Sequence, residues 1–311
     1  MKNTLSCLLT IFLLATCLMP GSGHIVQAQT PYPLPDGEIM LSSDVDVEIQ
    51  TLTDVESFDC SDVTDVPVSE CEALVAFYLS TNGAGWNNQQ ECRGDENDDC
   101  WLTTTKVDQW FGITVYEGRV TELVLDGNNL SGTIPPSIDQ LMYLVELCLM
   151  TNQIEGSIPI TIGNLTNLEK LTLGNNLFSG SIPEEIGYLS NLHKLNLGNN
   201  QLEGTLPVEL GNLSLLERIW VYDNLLHGEL PSELGQLTHL EELLITNNPF
   251  SGSIPISFIN LEYLDYFYFR LTDLCEPYNQ DYFDWKETVL EYHGTDLICM
   301  DFHCFMPIIS R

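Results

Sequence analysis

LEKLTLGNNLFSGSIP, residues 168–183, is the stretch on which the fold turns. Its ending, an aliphatic residue followed by proline, recurs at Ile134-Pro135, Ile158-Pro159, Ile182-Pro183, Leu206-Pro207, Leu230-Pro231 and Ile254-Pro255, always 24 residues apart. A fixed period in this range signals stacked structural repeats. Within the phrase, Leu171 and Leu173 alternate with polar residues, the period of a half-buried strand. One such strand cannot bury its inner face alone, but copies stacked as a parallel ladder close a continuous core. Asparagine recurs at 128, 152, 176, 200, 224 and 248. Its amide donates and accepts, so it can satisfy backbone groups where the chain leaves the sheet. A glycine in each copy suits a tight backbone position, and the proline suits an outer return segment.

The full phrase, Leu168-x-x-Leu171-x-Leu173-x-x-Asn176-x-Phe178-x-Gly180-x-Ile182-Pro183, resembles the leucine-rich repeat in its plant-type form. Such repeats occur in receptor-like protein ectodomains, including those of plant receptor kinases, and in polygalacturonase-inhibiting proteins. The resemblance implies an α/β repeat solenoid. That is a right-handed superhelix with a parallel β-sheet on its concave face and disulfide-stabilised helical caps. It also implies a binding scaffold and leaves the partner unnamed.

The rest of the chain is read around residues 120–274, which hold six full copies and a partial seventh. Residues 1–28 resemble a secretory signal peptide, with Lys2, an apolar run from Leu5 to Met19 and a small-residue site ending at Ala28. The run is shorter than a membrane span needs, and no other stretch is long and apolar enough. Residues 29–59 read as an acidic linker and 60–119 as an N-terminal cap. In the cap, Ser69 and Glu72 form a capping-box pattern before Leu74, Val75, Phe77 and Tyr78, predicting a short amphipathic helix. The segment through Cys100-Trp101 to Gly118-Arg119-Val120 resembles the cap of plant-type repeats, but Val115 stands where a second cysteine is expected. Residues 275–311 read as a C-terminal cap with a helix from Tyr282 to Tyr292.

Ten cysteines less Cys7 and Cys17 leave eight in the expected secreted product, a setting that favours disulfides. Sequence alone does not choose among the pairings. Proximity and the need to brace the caps suggest Cys60–Cys71, Cys92–Cys100 and Cys275–Cys299. Cys148 and Cys304 are left over, with Cys148 expected to face solvent on the strand side. The formal net charge of −35 argues against nucleic acid and anionic membranes as partners.

Residues beside and between the inward leucines face outward from the ladder, so they form columns across it. One column runs Glu122, Glu146, Lys170, Lys194, Arg218, Glu242, Tyr266. The next runs Val124, Cys148, Thr172, Asn196, Trp220, Leu244, Tyr268, and the third Asp126, Met150, Gly174, Gly198, Tyr222, Thr246, Arg270. The whole chain has 10 Lys and Arg, yet three fall in consecutive positions of one column. Beside them lie Trp220, Tyr222, Leu244, Tyr266 and Tyr268, large side chains with no core to fill. Lys170, Lys194, Arg218, Trp220, Tyr222, Leu244, Tyr266 and Tyr268 are therefore the candidate ligand-binding residues. The bland alternative is a solvated ladder face with cross-strand aromatic pairs, its cations neutralised by Glu169 and Glu217.

Other patterns carry less. Arg93-Gly94-Asp95 is too short to be specific, and Asp95 to Asp99 lacks the spacing of a calcium loop. His293, Cys299, His303 and Cys304 fit no zinc spacing, so no metal or cofactor is implied. Asn129, Asn164 and Asn212 head glycosylation sequons. No nucleophile elbow, zincin, phosphate-loop or dinucleotide motif is present, and leader, linker, caps and repeats account for the residues. The expectation is a secreted, extracellular, non-catalytic recognition module binding a protein or glycan on the concave face. The alternative is a structural or adhesive surface protein without a single dedicated site.

Overall fold

The computed structural model describes residues 58–88, 100–295, 297–300 and 303–305. All of them fall in one compact unit, Val47–Arg311. The expected leader, nearly all of the expected linker, the Arg93-Gly94-Asp95 and Asp95–Asp99 motifs and Cys92 lie outside the described residues.

Among the described residues the main sheet has nine strands. Ile113–Tyr116 and Arg119–Val124 form an antiparallel hairpin, and the strands that follow add in parallel. These are Glu146–Cys148, Lys170–Thr172, Lys194–Asn196, Arg218–Trp220, Glu242–Leu244, Tyr266–Tyr268 and Glu291–His293. From Glu122 to Tyr266 the register advances by one repeat per strand, so each sequence column is a row of side chains across the sheet. The inward leucines and isoleucines are fully buried and join one core cluster from cap to cap.

From Asn152 onward each repeat asparagine ties its own turn to the previous repeat, while Asn128 bonds to Asn88 of the cap. Asn176 donates to the carbonyls of Leu149, Leu173 and Gly174, while its oxygen accepts from the Ile154 amide. Asn200, Asn224 and Asn248 repeat this pattern. The residue just before each of these asparagines is in the left-handed region, at Thr151, Asn175, Asn199, Asp223 and Asn247, and so is Leu271 in the partial seventh copy. The phrase glycines also take positive φ, from 75° to 96°, where a side chain is strained. Each phrase proline precedes a short 3-10 turn on the outer side. A second parallel ladder, of five short strands among the described residues, runs from Ser131–Gly132 to Leu225–Leu226. It breaks at Pro249, which has no amide proton to continue the series.

The N-terminal cap packs Phe77, Tyr78, Trp86, Trp101 and Trp110 edge to face, tilted and, for Tyr78 on Trp101, stacked, with centroids 4.9–6.3 Å apart. The Trp101 indole donates to the Phe111 carbonyl at 2.8 Å. The cap helix is Val68–Ser80, and it does not use the expected capping box. Its N-cap is Pro67, and Ser69 lies inside the first turn. The first-turn carboxylate that matters is Glu70, fully buried, which accepts from the Arg119 guanidinium and the Val120 amide. A disulfide joins Cys60 to Cys71 at the helix start. Cys100 is disulfide-bonded as well.

At the other end the helix is shorter than expected, Gln280–Lys286. Glu291–His293 is instead a strand paired with Tyr266–Tyr268. Trp285 donates to the Leu261 carbonyl, and Tyr292 packs against Phe267 and Phe269. Lys286 pairs with the buried Glu276 and sits over the Tyr292 ring. Cys275 is bonded to Cys299, which removes that thiolate from any metal-ligand role. No helix among the described residues is long and apolar enough to cross a membrane.

Candidate ligand surface on the main sheet

The outward rows of the sheet differ along its length. At the N-terminal end the middle row is closed. Thr172 and Asn196 are buried, and Cys148, a free thiol, is only 9% exposed. The expectation that Cys148 faces solvent therefore fails. It points outward, but Val124 and Thr172 flank it in register and the Glu146–Lys170 pair lies alongside. That burial pushes its thiol pKa up. Met150 reaches across the Gly174 repeat to bring its sulfur 3.6 Å from the Asn196 amide. From the other side the Tyr222 ring covers Gly198, where a Cβ would lie 2.5 Å from the ring. Each glycine thus leaves a gap that a side chain from a neighbouring repeat crosses or fills.

The three cations do line up in register, Lys170 to Lys194 to Arg218. Their neutralising partners are not Glu169 and Glu217. Lys170 binds Glu146 one strand back, and that bond holds its ammonium pKa above the usual lysine range. Arg218 binds Glu242 one strand forward at 3.1 Å and Glu241 at 3.3 Å. Glu146 and Glu242 are the in-register neighbours of Lys170 and Arg218 on adjacent strands, about 5 Å away and facing the same way, and Glu241 reaches Arg218 from the position before Glu242. Lys194, left between them, places its ammonium over the Trp220 ring at 4.2 Å.

At the C-terminal end the middle row is open. Trp220, Leu244, Tyr268 and His293 sit in register on four successive strands, all partly exposed. The Trp220 indole is fixed by a 2.8 Å bond to Glu242. Tyr268 stacks on His293 at 4.7 Å and donates its hydroxyl to Glu291. That bond, more than burial, pushes the Tyr268 pKa up to about 12. Tyr266 lies in the next row and is exposed.

The structure thus brings Arg218, Trp220, Leu244, Tyr266 and Tyr268 together, with Lys194 against Trp220. Lys170 lies two strands from Trp220, and Tyr222 leans away toward Gly198. Sequence columns missed His293 and Glu291, because the last strand follows at 25 residues (Tyr266 to Glu291) where Glu242 to Tyr266 is 24. They also missed the row Glu169, His193, Glu217, Glu241, Asp265, which was visible at the repeat period.

The leucine-rich repeat family matches residues 119–141, 167–189, 191–213 and 239–265. Among solved structures, that of PEPR1-AtPEP1 is 28% identical with a TM-score of 0.64, over 73% of this chain and 31% of that one. The Arabidopsis receptor kinase HAESA ectodomain, in complex with an IDA peptide hormone ligand, is 27% identical with a TM-score of 0.59, over 71% and 36%. The plant peptide hormone receptor RGFR1, in complex with RGF2, is 34% identical with a TM-score of 0.52, over 53% and 26%. This chain therefore spans about a third or less of the length of the first relatives it matches. It carries leucine-rich repeats, and it resembles the ectodomains of plant receptor kinases.

Proposed function

We propose that this chain is a secreted, non-catalytic recognition module that binds a peptide or protein ligand across the outward, concave face of its main sheet. Residues 1–28 serve as leader and 29–59 as linker, with caps at 60–119 and 275–311. The observation that carries the reading is the row Trp220–Leu244–Tyr268, three large side chains on successive strands that fill no core. Apolar and aromatic side chains held rigid at a surface are the usual centres of binding energy. Trp220 and Tyr268 are held by Glu242 and Glu291, so little side-chain entropy remains to be lost on docking. The relatives in complex with IDA and RGF2 favour a peptide over a glycan.

The test is a screen of the protein against a secreted-protein pool and a glycan array, with Trp220→Ala/Tyr268→Ala in parallel and circular dichroism to check its fold. A peptide or protein partner lost in the variant is the expected outcome. A partner retained at full affinity by the folded variant would sink the reading.

A further inference from the structure

The ligand's charge can be inferred from what borders the open row. Backbone bonds stack Glu169, His193, Glu217, Glu241 and Asp265 one strand apart along the N-terminal ends of the strands, and Glu291 pairs in register with Tyr266 on the last strand. From Glu217 onward these are three carboxylates in succession, and in the adjacent row Glu242 and Glu291 flank Tyr266 in register. Like charges at strand spacing repel, and nothing in the core requires them there. Arg218 relieves only Glu241 and Glu242. Glu217 and Asp265 have no ion-pair partner among the described residues, and the nearest for Glu291 is His293 at 3.8 Å. Arg270, two residues beyond Tyr268, lies past the opposite side of the row.

The same surface already holds one cation on an aromatic face, since Lys194 occupies Trp220. One strand pair further on, Tyr266 offers an exposed ring without a Lys or Arg over it among the described residues, with Asp265 preceding it and Glu242 and Glu291 on either side in register, while Tyr268 beside it is stacked on His293. Aromatic faces bordered by carboxylates favour Lys and Arg side chains, through cation–π attraction and ion pairing together. We infer that the ligand is a basic peptide, lying along the Trp220–Leu244–Tyr268 row with a Lys or Arg side chain over Tyr266 and turned toward Asp265 and Glu291. This rests on the concave-face reading above and adds the chemistry of the occupant.

The probe is a random peptide library displayed on phage, panned against the full chain. The strongest peptide is then measured by fluorescence anisotropy on the wild type, on Asp265→Asn/Glu291→Gln and on Trp220→Ala/Tyr268→Ala. Expected are peptides of net positive charge, weakened about tenfold by the carboxyl variant and by raising salt to about 1 M. Neutral or acidic peptides lost only in the aromatic variant would overturn the basic ligand and leave the surface assignment standing. Peptides kept by the folded aromatic variant would overturn both. A library that yields no peptide, or a glycan-only partner on the array, would overturn the basic-peptide inference.

Discussion

Leu271 occupies a position the chain otherwise gives mostly to polar residues able to turn left-handed. Its φ is 56°, and Asn175, Asn199, Asp223 and Asn247 take the same conformation one repeat apart. Asparagine and aspartate tolerate that region because a short polar side chain bonds locally, whereas a leucine pays the full steric cost. Those neighbours also stitch to one another, Asn199 to Asn175 at 2.9 Å and Asn247 to Asp223 at 2.8 Å. Leu271 has no such bond to make and leaves its side chain 74% exposed. Leu271→Asn is therefore expected to stabilise the protein, by about 1 kcal/mol, through relief of strain and a new bond to the Asn247 oxygen. Urea unfolding would show the midpoint rising with an unchanged slope; an unchanged or lower midpoint would refute the strain argument. The series was legible at 24-residue spacing, but its meaning was not, since residue types alone do not report the sign of φ. Cys148 teaches the same limit from the other side: strand alternation gave its direction, while burial depended on neighbours two residues and one repeat away.

The caps are the elements whose packing was least legible, and each depends on a buried charge. Glu70 is fully buried in the helix Val68–Ser80 and is held by Arg119 and the Val120 amide, at the join between cap and first repeat. Removing Arg119 leaves a carboxylate in the core with one donor. Arg119→Ala should cost about 3–5 kcal/mol, while Glu70→Gln, which keeps an acceptor and removes the charge, should cost less. Thermal melts of the two variants rank them, and an equal or reversed order would show that an orphaned Glu70 carboxylate is not the main cost. The sequence pointed instead to Ser69 and Glu72, because a capping box is a local pattern and the Glu70–Arg119 pair spans 49 residues. At the C-terminal end, Tyr282 and Tyr292 share a hydroxyl bond of 2.7 Å, and burial pushes both pKa values far above the ordinary tyrosine range. A folded-state pKa raised above the unfolded value adds stability that is fully present below about pH 10 and is lost as pH rises beyond it. Of the 12 tyrosines, these two should ionise only as the cap unfolds, so an ultraviolet titration should show a late step coincident with loss of circular dichroism. A late step that survives in Tyr282→Phe/Tyr292→Phe would assign it elsewhere.

Across the whole molecule, 45 acidic side chains face 10 Lys and Arg, and the charge is −35. A repeat stack distributes its stability over nearest-neighbour interfaces, so the core shown by the 24-residue period can be strong while the surface works against it. The fold was legible because the period fixes register, and register fixes which leucines meet. The candidate surface was half legible for the same reason: rows could be read wherever the period held, and Glu291 and His293 were lost where it slipped to 25. What no row could supply was pairing, since Lys170 and Arg218 chose Glu146 and Glu242 across strands. Those pairs are partly exposed and contribute little, so screening them costs less than screening the repulsion gains. Stability should therefore rise with salt. From low ionic strength to about 0.5 M sodium chloride, the gain should be about 1–2 kcal/mol, or roughly 3–6 °C in Tm. Choline chloride should act alike, since the effect is screening and needs no bound metal, while an uncharged osmolyte at equal osmolality separates screening from surface exclusion. A Tm that is flat or falls with both salts would mean that the opposite-sign contacts, few as they are, outweigh the repulsion of the acidic surface. The carboxylates Glu217, Glu241 and Asp265, with Glu242 and Glu291 beside them, would then lose their standing as a surface waiting for positive charge.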